Sequence, residues 1–358
     1  MGKKKVGGDT ETEDKSRPKV FDDFAATIFD AAFITDSESK IISVSPAFDL
    51  GFGGISEGNF IALTGQPKVG KSLLSLAIAA RAQRQEYANP KLCPNGRMVA
   101  FFNIEHRIRK RDLEGVKGLD LSPEKFKIIQ SSEGNILTSE GWCNRIERFL
   151  NECPGSVCII DSFSMLSSQA EQAADMGFQD RGKSHGIISQ LCRRIAPILA
   201  LNKCIVIGIT HILANTSGYG AATIEKTANA LRYAEDLKAF AKTVTPWRTG
   251  TNEKSPQIGQ KVEWQVLFSS LCPPGAKFTS HIRYNYGLDV YSELAEIAEQ
   301  FGLISKGGAW YKLTFLHDES IPKLNGLEQV RDVLENNPEW YNELRKQVYE
   351  MIGYEYLL

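Results

Sequence analysis

Between residues 41 and 287 the chain alternates two hydrophobic rhythms. Short uninterrupted apolar runs at 59–64, 97–103, 126–129, 156–161, 203–210 and 261–269 predict strands buried on both faces. Stretches centred on 72–85, 139–152 and 184–201 carry apolar residues at helical spacing. Strands and helices in strict turn predict an α/β fold, a mostly parallel sheet with helices on both faces. From 256 to 287 strand-like runs follow one another without helices, which predicts an antiparallel extension. Residues 288–358 turn helical, aromatic-rich and charged, and are expected to form a small C-terminal α/β domain.

The segment before the core reads differently. Residues 1–18 are charged and glycine-rich with almost no apolar content, so a flexible arm is expected, with Lys3, Lys4 and Lys5 either solvated or in contact with nucleic acid. Phe21, Phe24, Ala25, Ile28, Phe29, Ala32 and Phe33 fall on one face of a helix, within a 19–40 helix and linker. That face packs on its own domain or on a neighbouring subunit.

Charge and cysteine content narrow the setting. The net charge of −1 gives no global basic field, so any nucleic-acid site must be local. The seven cysteines show no C-x-x-C spacing, which points to reduced thiols in a cytoplasmic protein without a structural zinc. The most apolar stretch, Ile195 to Leu213, is broken by Pro197, Asn202, Lys203 and His211, and no membrane span or signal peptide is expected.

The strongest chemical signal is Gly65-Gln66-Pro67-Lys68-Val69-Gly70-Lys71-Ser72, which reads G-x-x-x-x-G-K-S. An apolar run enters it, and a helix-forming run beginning Ser72-Leu73 leaves it. Backbone N–H groups in such a loop point at phosphates, and the helix dipole favours their charge. Lys71 is expected on the β- and γ-phosphates and Ser72 on Mg²⁺. Three other strand ends carry polar groups. Asp161 closes the 156–161 strand and is placed either to hold the Mg²⁺ water shell or to cap the next segment. Glu105 follows the 97–103 strand, where a carboxylate can polarise an attacking water. His211 follows the 203–210 strand, where it can touch the γ-phosphate or face solvent. Two long polar segments, 164–184 and 212–228, follow strand ends on the same side. Arg181, Lys183, Arg193, Arg194 and Lys226 lie in or beside them and suit a single-stranded nucleic-acid backbone, the alternative being two solvated loops.

Taken in order, these motifs resemble the RecA family of DNA strand-exchange recombinases, in its bacterial and phage UvsX branches, from about residue 40 to 350. G-Q-P-K-V-G-K-S and C-I-I-D-S resemble the two nucleotide motifs, and N-I-E-H-R the segment with the catalytic glutamate, here Glu105. G-I-T-H resembles the strand-end sensor, Gln in the bacterial branch and His in the phage branch, here His211. I-I-S-Q-L-C-R-R and T-A-N-A-L-R-Y resemble the edges of the two DNA loops, which implies DNA contacts for Arg193 and Asn229. Gly287 to Leu294, then Gly307-Gly308-Ala309-Trp310-Tyr311, resemble the passage into the family's C-terminal domain. Tyr291 falls where the family places a nucleotide-contacting tyrosine. The resemblance implies a RecA-like P-loop ATPase core over 41–287 and an oligomerisation role for the 19–36 helix, in which Phe29-Asp30-Ala31-Ala32 matches an F-x-x-A docking motif.

There are departures. Phe268 and Ser270 stand where the family commonly supplies two lysines to the γ-phosphate of the next subunit, leaving Lys261, Lys277 or Arg283 as substitutes. Thr227-Ala228 replaces a glycine pair before Asn229, and the insertion 87–95 has no assigned role. The resemblance implies an ATP- and Mg²⁺-dependent homologous-recombination protein and DNA-dependent ATPase. It would form helical filaments with itself on single-stranded DNA and pair them with duplex DNA. Single-strand-binding and mediator proteins are further expected partners. The alternatives are a hydrolysis-poor ATP- and DNA-binding paralogue and a RecA-fold helicase. A viral origin, with the bacterial host's cytoplasm as location, is hinted at only by His211.

Overall fold

The computed structural model describes residues 39–85, 96–167, 181–214, 223–225, 229–249, 253–318 and 320–358. The expected arm at 1–18, the 19–36 helix, the 87–95 insertion, Lys226 and the interiors of both polar loops lie outside these residues.

The chain opens with β1 (Ile41–Ile42), α1 (Pro46–Phe52) and β2 (Ile55–Ser56), in which β2 pairs antiparallel with β1. Ser45 starts α1 by accepting the Phe48 N–H, and Pro46 supplies a preset φ at the first turn. The units that follow are β3 (Phe60–Gly65) with α2 (Lys71–Ala82), then β4 (Val99–Asn103) with α3 (Lys110–Glu114) and β5 (Phe126–Ile129). Next come α4 (Ser139–Glu152), β6 (Val157–Asp161), α5 (Arg181–Asn202) and β7 (Ile205–Ala214). After β8 (Thr223–Glu225) and α6 (Asn229–Ala234) the chain runs through β9 (Leu237–Arg248), β10 (Gln257–Ser269), β11 (Lys277–Arg283) and β12 (Gly287–Leu288). It ends with α7 (Val290–Gln300), β13 (Ser305–Gly307), β14 (Trp310–Lys312), β15 (Leu324–Asn325), α8 (Gly326–Asn336) and α9 (Pro338–Ile352).

Ten strands form one sheet in the order β5-β4-β6-β7-β3-β9-β10-β11-β12, with β8 beside the end of β7. Pairing is parallel from β5 to β9 and antiparallel from β9 to β12. Period-two alternation divides the parallel strands between two cores. Phe101, Ile159 and Ile207 face one core, covered by α2 and the C-terminal helices. Phe102, Ile160 and Val206 face the other, covered by α4 and α5.

Three expectations change. β9 was not among the expected strands; it is buried only through Ala241, then runs exposed through Thr243–Thr245, so its sequence lacks a full apolar run. The second polar segment begins as strand, because β7 continues to Ala214 and β8 returns antiparallel with Ile212 opposite Glu225. The first segment ends earlier than 184, because α5 already starts at Arg181. The 288–358 region holds its own three-stranded sheet, yet Leu294, Leu334 and Tyr349 share a core with Phe48, Trp264 and Phe278. Residue 288 therefore marks a change of architecture within a continuous core.

Candidate nucleotide site and DNA-facing segments

The site sits beyond the carboxyl ends of β3, β4, β6 and β7, where a parallel sheet opens its crevice. β3 hands over to the loop at Gly65, and Gly70 starts α2 with φ 94°, a left-handed conformation that favours glycine. A Cβ at Gly70 would lie 2.5 Å from Ile282 Cδ1. No side chain caps α2, so its first-turn N–H groups remain open towards the cleft. Val69 is buried and anchors the loop, while Gln66, Pro67 and Lys68 are exposed. Lys71 Nζ donates to the carbonyls of Gly65 at 2.9 Å and Gln66 at 2.7 Å. Burial lowers its pKa to about 8, against the opposing pull of Asp161 and Glu105.

Ser72 Oγ donates to Asp161 Oδ2 at 2.6 Å. Burial raises the Asp161 pKa. A hydroxyl and one carboxylate converging beside a phosphate loop fit Mg²⁺, which takes one or two carboxylates and completes its shell with water and phosphate oxygens. No cluster of three or more His, Cys, Asp or Glu that could hold a metal ion occurs among the described residues.

Glu105 is the hub of the opposite wall. The backbone N–H groups of Ile104 and Glu105 donate to Asp161 O at 2.9 and 3.1 Å, which fixes the end of β4 against β6. Glu105 Oε1 accepts from Ser162 Oγ at 2.6 Å and contacts His211 Nε2 at 2.6 Å, while Arg107 Nη1 stands 3.2 Å from Oε2. The His211 hydrogen bond, with Ser162 and the charges of His211 and Arg107, holds Glu105 at about 2 despite burial. An ionised carboxylate only accepts, so His211 Nε2 is the donor in this contact. The His211 backbone N–H is pinned by Ser164 Oγ at 2.8 Å.

One cleft of about 670 Å³ joins these groups, and Lys71, Ser72, Leu73, Glu105, Asp161 and His211 all line it. Its far wall comes from the antiparallel strands: Gln260 on β10, Ile282 on β11, then Tyr284 and Asn285. Tyr291 is not in this cleft. It packs edge-on against Tyr341, centroids 4.9 Å apart, beside a separate pocket with Lys117 and Arg84. Among the described residues that line the cleft, the aromatic one is Tyr284. Tyr284 directly follows β11, and the sequence reading gave it no role. Arg107 and Ser162 were given no role, although each closes a motif already singled out, N-I-E-H-R and C-I-I-D-S.

The DNA-facing candidates divide. Arg181 and Lys183 lie in the first turn of α5 and Asn229 opens α6. Arg193 is exposed on α5. Arg194, expected as a DNA contact, is tied to Glu147 of α4 at 2.8 Å. Of the proposed substitutes for the missing lysines, Lys261 is bonded to Glu296 at 2.5 Å, Lys277 stands 3.9 Å from Glu263, and Arg283 stands 3.8 Å from Asp289. No helix among the described residues is long and apolar enough to cross a membrane.

The RecA N-terminal domain family matches residues 35–289, and the RecA C-terminal domain family matches residues 292–353. Relatives extend over most of the chain. "Protein RecA" of Sulfurovum sp. (strain NBC37-1) is 26% identical over 308 residues, 85% of this chain and 81% of that protein. "Protein RecA" of Helicobacter hepaticus is 26% identical over 306 residues, covering 85% and 81%. "Protein RecA" of Geobacter sulfurreducens is 25% identical over 312 residues, covering 87% and 84%.

Proposed function

The chain belongs to the RecA family, and from that membership we propose how its residues divide the work of an ATP-dependent recombination protein. The family consists of recombinases that bind DNA, assemble with themselves and hydrolyse ATP in response to DNA, and this protein is a DNA-dependent ATPase of that family. The observation that carries the residue-level reading is the convergence of Ser72, Asp161, Glu105 and His211 around one cleft at four parallel strand ends.

The open N–H groups of the 65–72 loop and the Lys71 ammonium bind the β- and γ-phosphates. Ser72 and Asp161 would hold Mg²⁺, which neutralises charge between those phosphates when bound. Glu105 orients the attacking water, and Ser162 and His211 fix its carboxylate. Because His211 belongs to β7, which leads directly into the 212–228 segment, its contact with Glu105 couples γ-phosphate occupancy to that segment. We assign Arg181, Lys183, Arg193, Lys226 and Asn229 to the binding of single-stranded DNA, through phosphate contacts. The filament holds that strand ready to pair with a duplex, and hydrolysis promotes its release. Mediator and single-strand-binding proteins act on the same filament.

The test is phosphate release from ATP and Mg²⁺ with and without single-stranded DNA, with negative-stain microscopy of the same samples. DNA-dependent filaments with stimulated release are expected. Filaments without release would favour the hydrolysis-poor paralogue. Closed rings that unwind a forked duplex would replace this reading with the helicase.

A further inference from the structure

Phosphoryl transfer spreads negative charge over the equatorial oxygens of the moving group, and placed cations supply much of the acceleration. Residues 266–274 contain no Lys or Arg, and Lys261, Lys277 and Arg283 each stand against a carboxylate of their own chain. Among the described residues, the cations lining the cleft are Lys68, Lys71, Arg107 and Arg111. Among the described residues, Arg107 is the one of these four within ion-pair distance of Glu105.

Its position is built rather than incidental. The Asn103 side chain at the end of β4 accepts the Arg107 backbone N–H at 3.1 Å and donates to Gln130 at 2.9 Å. Between them His106 adopts φ 54°, left-handed for a non-glycine residue, and this reversal brings Glu105 and Arg107 to the same cleft. One guanidinium nitrogen meets Glu105, while the side chain stays 74% exposed. A fork of five donors with one engaged keeps the others for an incoming phosphate.

We propose that Arg107 is a catalytic residue whose guanidinium, from the same chain as the phosphate loop, binds the terminal phosphate and neutralises its charge during transfer. The proposal rests on the ATPase reading above. In the step it serves, the water oxygen bonds to the γ-phosphorus. The bond from that phosphorus to the bridging oxygen breaks, its electron pair leaves with the nucleoside diphosphate, and the water proton passes to Glu105.

The experiment compares wild type, R107A and R107K in single-stranded-DNA-dependent ATP hydrolysis, and in binding of fluorescent ADP with and without aluminium fluoride, a mimic of the transferring phosphoryl group. R107A should lose on the order of 10²–10³-fold in kcat with KM little changed, and R107K should recover part of it. ADP should bind R107A as it binds wild type, while the tightening caused by aluminium fluoride is lost. Hydrolysis by R107A at the wild-type rate, or equal loss of ADP affinity with and without the fluoride, would overturn the role of Arg107 alone. A wild type that neither hydrolyses ATP nor tightens on ADP with aluminium fluoride would overturn the ATPase reading, and Arg107's role with it.

Discussion

The parallel and antiparallel halves of the sheet divide the cleft unequally. The parallel half ends in groups that bond to one another: Ser72 to Asp161, and Glu105 to Ser162, His211 and Arg107. The antiparallel half supplies a wall, with Gln260, Ile282, Tyr284 and Asn285, and continues into the core shared with the C-terminal helices. Chemistry collects where parallel strands present their carboxyl ends together, and the antiparallel strands bound the space and bear the packing. Breaking Glu105 tests the first half most severely. Glu105→Gln should lower DNA-stimulated kcat on the order of 10²–10⁴-fold while nucleotide binding persists, measured by phosphate release beside ADP titration.

The corresponding blow to the other half acts on stability. Trp264 of β10 is fully buried, stacks on Phe278 with ring centroids 6.3 Å apart, and through Phe278 meets Phe48 and Phe52 of α1 at 5.5 Å each. Trp264→Ala should cost about 3–5 kcal/mol of unfolding free energy in urea titration. Activity per folded molecule should stay close to wild type, since Trp264 does not line the cleft. A kcat loss exceeding the loss of folded protein would show that the antiparallel half does more than bear load.

The two halves were also unequally legible. β3, β4, β6 and β7 are fully buried apart from their ends, so each announces itself as an apolar run, and a polar residue at its close stands out. Glu105, Asp161 and His211 were found that way. The antiparallel strands are half-exposed, so their residues mix: β9 includes Lys238, Thr243, Thr245 and Pro246 and gave no run to read. Side-chain partners were not legible at all. Arg194 has the composition of a DNA contact, and its ion pair with Glu147 depends on how α4 packs on α5.

Where the halves meet the C-terminal helices, a buried carboxylate gives a pH test. Glu293 of α7 accepts the N–H groups of Ala47 at 3.2 Å and His281 at 3.1 Å, and burial raises its pKa from 4.5 to about 7. Between those values the folded protein holds a proton that the unfolded chain has released. This contribution to stability is complete below pH 4.5 and is lost as pH rises through about 7. Glu293→Gln cannot titrate, so its stability relative to wild type should improve between acid and mildly basic pH, by up to about 3 kcal/mol. Urea midpoints across that range read the change, and a constant difference at every pH would mean that Glu293 does not titrate within it.

The smallest effect is the most discriminating, because it sets two tyrosines of the same region against each other. Tyr284 lines the nucleotide cleft beside Asn285, whereas Tyr291 packs on Tyr341 beside another pocket. An aromatic face on the cleft wall can stack on a nucleobase, and losing one such contact is worth about 1–3 kcal/mol. Tyr284→Ala should therefore raise KM for ATP about tenfold with kcat nearly intact, the pattern of lost uniform binding. Tyr291→Ala should leave KM alone and appear only as a small loss of stability at the joint of α7 and α9. The opposite result, with Tyr291 controlling KM, would mean that the cleft closes differently around nucleotide than the antiparallel wall predicts.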